Sequence, residues 1–90
     1  MEMRQLRHFL ALMETRSYWR AADSCGITAQ ALSKSIRRFE EQLGVRLFDR
    51  DTRSVRPTLF AEQIANYARN IDAEARSLRR AKDYIHAHLD

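Results

Sequence analysis

The sequence predicts a mainly α-helical fold: a winged helix-turn-helix with a small β-hairpin wing, followed by one long C-terminal linker helix suited to dimerisation. Three observations carry that expectation. Two Gly and one Pro in ninety residues leave room for long helices and few turns. The segment 27–43, ITAQALSKSIRRFEEQL, sorts into two faces at 3.6 residues per turn: Leu32, Ile36, Phe39 and Leu43 form an apolar stripe, while Gln30, Ser33, Lys34, Arg37 and Glu41 fall opposite. From Thr58 onward no Gly or Pro interrupts the chain, and Ile64, Ile71, Leu78 and Ile85 recur strictly by seven.

The first helix is expected from about Met3 to Glu14, with Leu6, Phe9, Leu10 and Met13 at core-facing spacing. Ser17 can cap a short second helix by accepting a backbone N–H. In that helix Ala21, Ala22 and Cys25 are small enough to let a crossing helix approach closely. Gly26 ends it, because glycine tolerates the left-handed conformation common at helix C-termini. Ile27 is expected to bury at the turn. Thr28 caps the recognition helix, 28–43, and Gly44 closes it. Leu47 and Phe48 suit a strand packed on the core. Asp51 to Ser54 carry turn chemistry, and Val55 and Arg56 return as a second short strand before Pro57. This hairpin is the expected wing. The division is 1–57 for the winged helix-turn-helix and 58–90 for the linker helix. The latter would run on the order of 45 Å at about 1.5 Å per residue. A domain of some 57 residues cannot cover a helix that long, so Ile64, Ile71, Leu78 and Ile85 are expected to form a seam with a partner helix. Ala68, Ala75 and Leu89 add a second row.

Sixteen Lys and Arg against twelve Asp and Glu give a net charge of +4. Fourteen of the sixteen are Arg, whose planar fork binds two phosphate oxygens at once. The single Cys25 excludes an intrachain disulfide and suits a reducing compartment. No apolar run reaches membrane-spanning length and the polar start is not a signal peptide, so a soluble cytoplasmic protein with no membrane contact is expected. Cys25 is expected to be a small buried hydrophobe and Trp19 to be partly buried. His86 and His88 point in different directions on a helix and make a poor metal pair. No Ser-His-Asp set and no paired carboxylates in a cleft-forming context are present. Neither an enzyme nor a metal or cofactor site is expected.

The outer face of segment 28–43 bears the candidate function. In a helix-turn-helix the second helix lies in the DNA major groove, and Gln, Ser, Lys and Arg side chains can hydrogen-bond base edges or phosphates. The bland alternative for Gln30, Ser33, Lys34 and Arg37 is a solvated surface face. The helix-turn-helix setting favours DNA, with Glu41 outside the groove. Arg46, Arg50, Arg53 and Arg56 gather around the wing. Of these, Arg53 at the tip is assigned to the minor groove and its backbone, and Arg50 to the phosphates. Ser17 and Thr28, at two helix N-termini, are expected to add backbone N–H contacts to phosphate. A different class of function would be a helical protein-interaction or dimerisation module of the same fold that binds no DNA. The steep salt dependence of DNA binding separates the two.

Taken together, the phrases RQLRHFLALMETRSYWRAAD, ITAQALSKSIRRFEEQLGVRLFDR and VRPT resemble the N-terminal DNA-binding domain of LysR-type transcriptional regulators over essentially the whole chain. The most specific part is the spacing from Ala21-Ala22 through Ala31-Leu32-Ser33 to Leu43-Gly44 and Leu47-Phe48-Asp49-Arg50. The resemblance implies a homodimer through the linker helices, packed antiparallel, on double-stranded DNA with an interrupted dyad operator. It also implies a C-terminal domain for a small-molecule inducer. That domain is not in these ninety residues, which are therefore expected to be a piece of a longer regulator. Three positions depart from the family pattern. Ala29-Gln30 stand where Gln-Pro is common, Leu59-Phe60-Ala61 follow Thr58 where x-Ala-Gly is common, and Arg16 stands where Gly is common before the Ser.

Overall fold

The computed structural model describes residues 1–50 and 54–89. The described residues contain four helices: α1 (Met3–Thr15), α2 (Tyr18–Cys25), α3 (Ala29–Leu43) and α4 (Leu59–His88). The helix boundaries follow local chemistry. The side chains of Ser17, Thr28 and Thr58 accept the amides of Arg20, Ala31 and Ala61, capping α2, α3 and α4. Gly26 and Gly44 end α2 and α3 in the left-handed conformation. Arg16 takes the same conformation after α1, with φ at 55°. It does so without glycine's freedom, and its Nε–H donates to the Met13 carbonyl at 2.9 Å.

The core lies where α1 meets the other three helices. Phe9, Leu12, Leu32, Ile36, Phe39, Leu47 and Phe48 are the largest fully buried side chains. The rings of Phe39 and Phe48 pack on Phe9 at centroid distances of 5.6 and 6.0 Å, within the range of favourable tilted aromatic pairs. Ala21 and Ala22 are buried, as close helix crossing requires. Because α1 is contacted by α2, α3 and α4, its buried face is wider than the predicted stripe. Gln5, His8 and Leu12 are buried as well, while Leu10 is only partly so.

Three expectations are corrected. Leu43 is 38% exposed and lies outside the core, at the end of α3 where Gly44 turns the chain. Trp19 is 80% exposed, because the two-turn α2 buries only its Ala21 and Ala22 face. Cys25 is half-buried rather than fully buried.

Between α3 and α4 the two arms of the expected hairpin meet in an isolated antiparallel bridge, Phe48 with Pro57. The Asp49 amide donates to the Arg56 carbonyl at 2.9 Å and the Thr58 amide to the Leu47 carbonyl at 2.8 Å. Pro57 has no N–H to extend the ladder. The turn expected at Asp51 and Thr52 and the tip residue Arg53 lie outside the described residues.

Helix α4 completes the core with its first turns. Ala61, Ala65 and Ala68 are buried, and Ile64 packs against them at the margin. Asp72 and Ala75 are still half-buried, and beyond Ala75 the helix projects into solvent. The radius of gyration is 15.2 Å and the longest extent 57 Å, whereas a compact chain of this length has a radius of about 12 Å.

Candidate nucleic-acid interface

Helix α3 is held by its apolar side and presents the other. Gln30, Lys34 and Arg37, one turn apart, are exposed along its outer face, with Arg38 beside them. Ser33 is half-buried. It lines a cleft of about 230 Å³ between α3 and the wing arm, together with Tyr18, Arg37, Asp49 and Arg50. Thr28 is exposed at the start of α3 and Ser17 is half-buried at the start of α2. The structure therefore brings Ser17, Thr28, Gln30, Ser33, Lys34 and Arg37 onto two adjoining helix ends and one helix face.

The wing base is fastened to α3 by Glu40, which sequence reasoning left unassigned. Its Oε2 accepts the amides of Leu47 at 2.7 Å and Phe48 at 3.2 Å. Its Oε1 pairs with Nη2 of Arg50. Nη1 of Arg50 donates to Tyr18 Oη at 3.3 Å. One carboxylate and one guanidinium thus tie α3, the wing base and α2 together. The Arg50 side chain is 25% exposed and that of Glu40 10%. Arg50 therefore supports the surface with both terminal nitrogens of its fork.

A second tie joins α1 to the recognition helix. His8 Nδ1 lies 2.7 Å from Ser35 Oγ. Burial lowers the pKa of His8 below its ordinary value of 6.5, and the charges of Arg4 and Arg7 lower it further. The fold thus holds the neutral imidazole, while the unfolded chain takes up a proton at its ordinary pKa. Stability is expected to be unaffected by His8 above that pKa and to fall as pH drops below about 6.5, levelling once the folded form is protonated too. Urea unfolding at about pH 7.5 and about pH 5.5 measures this, and His8→Gln should remove its part of the difference. An equal pH difference in the variant would rule out the His8 contribution.

The seam residues are divided by the fold. Ile64 packs against the domain's own core. Ile71, Leu78 and Ile85 are 40%, 71% and 52% exposed, and Tyr67 and Leu89 stand exposed beside them. No helix among the described residues is long and apolar enough to cross a membrane.

A helix-turn-helix with an open polar recognition face and a long projecting C-terminal helix defines the class. Residues 3–62 match the family described as "Bacterial regulatory helix-turn-helix protein, lysR family". The chain belongs to that family. It is 41% identical over 80 residues to the SDS degradation transcriptional activation protein of a Pseudomonas species, covering 89% of this chain and 26% of that protein. It is 38% identical over 79 residues to the DNA-binding transcriptional dual regulator OxyR of Escherichia coli, covering 88% and 26%. These relatives are regulators, and the chain spans about a quarter of their length. Among solved structures, the BenM_DBD/benA site 1 DNA complex superposes with a TM-score of 0.91 at 31% identity, covering 99% of this chain and 100% of that one.

Proposed function

We propose that this chain is the DNA-binding part of a bacterial transcriptional regulator that works in the cytoplasm as a homodimer. The observation that carries the proposal is the open face of α3, with exposed Gln30, Lys34 and Arg37 on a helix fixed by Leu32, Ile36 and Phe39. The likeness to a domain solved on DNA supports it. Inserted in the major groove, Gln30 and Ser33 read bases, and Lys34 and Arg37 reach bases or phosphates. The first-turn amides beside Ser17 and Thr28 take phosphate oxygens. Arg50 approaches the backbone with N–H groups other than those given to Glu40 and Tyr18, and Arg53 keeps its sequence-based assignment to the minor groove and its backbone. Ile71, Leu78 and Ile85 pair with a second copy, while Ile64 packs on the domain's own core. Two recognition helices then face two half-sites of an interrupted dyad. A small-molecule inducer would act through a further domain of the longer protein.

Selection of binding duplexes from a random library tests this reading and should return a dyad. Gln30→Ala should then relax preference at one or two positions of each half-site, at about 1–3 kcal/mol for a lost bidentate contact. An unchanged preference at every position would remove Gln30 from base reading.

A further inference from the structure

Trp19 is the only tryptophan in the chain, and at 80% exposure its own fold does not use it. It forms one wall of an open groove of about 460 Å³. Ala22 and Asp23 continue that wall, and Ile27, Thr28, Ala29 and Gln30 complete the groove. The groove therefore runs into the first turn of the recognition helix. Arg20, the next residue after Trp19, is exposed, and the first-turn amides of α2 give this end a positive character. Asp23, the acidic residue of the groove, lies one turn further along α2. An anion is therefore accommodated at the Trp19 and Arg20 end. An indole is an apolar plate with a donor-only edge. What matches it is an apolar sugar next to an acceptor-only phosphate.

We infer that Trp19 belongs to the DNA interface, its ring covering a deoxyribose beside the half-site and its Nε1–H donating to a phosphate oxygen. The inference rests on the proposal that the chain binds DNA through α3, with which this groove is continuous. Contacts to sugar and phosphate fix register and orientation without reading sequence. An uncharged donor also releases no counterions. Its loss therefore lowers affinity without changing the salt slope, unlike the loss of an Arg contact.

Because Trp19 is the sole indole, its fluorescence reports on this site directly. Two titrations of the wild-type chain are run in parallel, each with a library-selected duplex and a random-sequence duplex. Anisotropy of end-labelled duplex reports binding, and Trp19 emission with unlabelled duplex reports the site. Emission is expected to change along the same isotherm as the anisotropy, and quenching by neutral acrylamide to fall. Trp19→Ala, with its fold checked by circular dichroism, should weaken binding to both duplexes by about tenfold at an unchanged salt slope. Trp19→Phe, which keeps a ring and loses the N–H, should recover part of the loss. Binding by anisotropy with unaltered emission and quenching, or full affinity in Trp19→Ala, would overturn the inference and leave the DNA proposal standing. A loss confined to the selected duplex would overturn the backbone assignment in favour of base contact. Absence of DNA binding in the anisotropy titration would overturn the DNA proposal and this inference with it.

Discussion

Replacing Ile71 and Leu78 together with Asp is expected to turn a dimer into a monomer and to abolish most affinity for a full dyad. The wild-type stripe of Ile71, Leu78 and Ile85 stands 40–71% exposed in the single chain. Burying each such side chain against a partner contributes about 1.5–3 kcal/mol. Two carboxylates in the same seam face the desolvation penalty of an unpaired buried charge, several kcal/mol per ion. The helical domain should survive, because Ile71 and Leu78 lie outside its core. Half-site binding should survive too. The second half-site, about 34–36 Å away on one face of the duplex, is no longer held at high effective concentration. Sedimentation of wild type and variant decides the matter. A wild type that stays monomeric at high concentration, or a variant that still dimerises, would refute this seam.

Glu40→Ala is expected to be the most destabilising change of a polar side chain on the recognition side, at about 3 kcal/mol. It removes the acceptor of two amides belonging to the buried residues Leu47 and Phe48 and strands the Arg50 guanidinium. An unmet buried amide costs about 1–3 kcal/mol, and the partial exposure of Arg50 keeps the sum at the lower end for a broken pair. In a domain this small the loss should lower Tm by more than about 10 °C. Arg50→Ala should cost clearly less, about 1 kcal/mol, because Glu40 keeps both backbone bonds. Thermal unfolding of the two variants tests that order. Equal losses would place the strength of the network in the ion pair rather than in the anchoring of the wing base.

What the sequence made legible was what is local. The caps at Ser17 and Thr28 and the stops at Gly26 and Gly44 stand where their chemistry places them, since each is settled within four residues. The buried residues Leu6, Phe9, Leu32, Ile36, Phe39, Leu47 and Phe48 follow from helical spacing or from a short apolar run. What escaped depends on partners distant in the chain. The wide buried face of α1, with Gln5, His8 and Leu12, reflects three neighbouring helices, which a single-stripe periodicity does not register. Glu40 looks like one more acid on a charged helix until the chain folds Leu47, Phe48 and Arg50 around it. Trp19 was expected to be partly buried, but two-turn α2 offers only an alanine face to the core. The candidate reading residues Gln30, Ser33, Lys34 and Arg37 were legible as a face. That Ser33 is half-buried in the wing cleft, with exposed Arg37 at its edge, while Gln30 and Lys34 stand clear of it was not.

Anisotropy of a library-selected duplex with the wild-type chain at about 50 and about 200 mM salt tests the central claim most directly. A chain that engages phosphates around two recognition helices, with roughly six to ten contacts, is expected to lose about 10³–10⁵-fold in affinity between the two. It should also hold the selected duplex more tightly than a random one at both. Binding that is insensitive to salt and indifferent to sequence, or no binding at either salt, would contradict the assignment of α3 and its flanking helix ends to DNA.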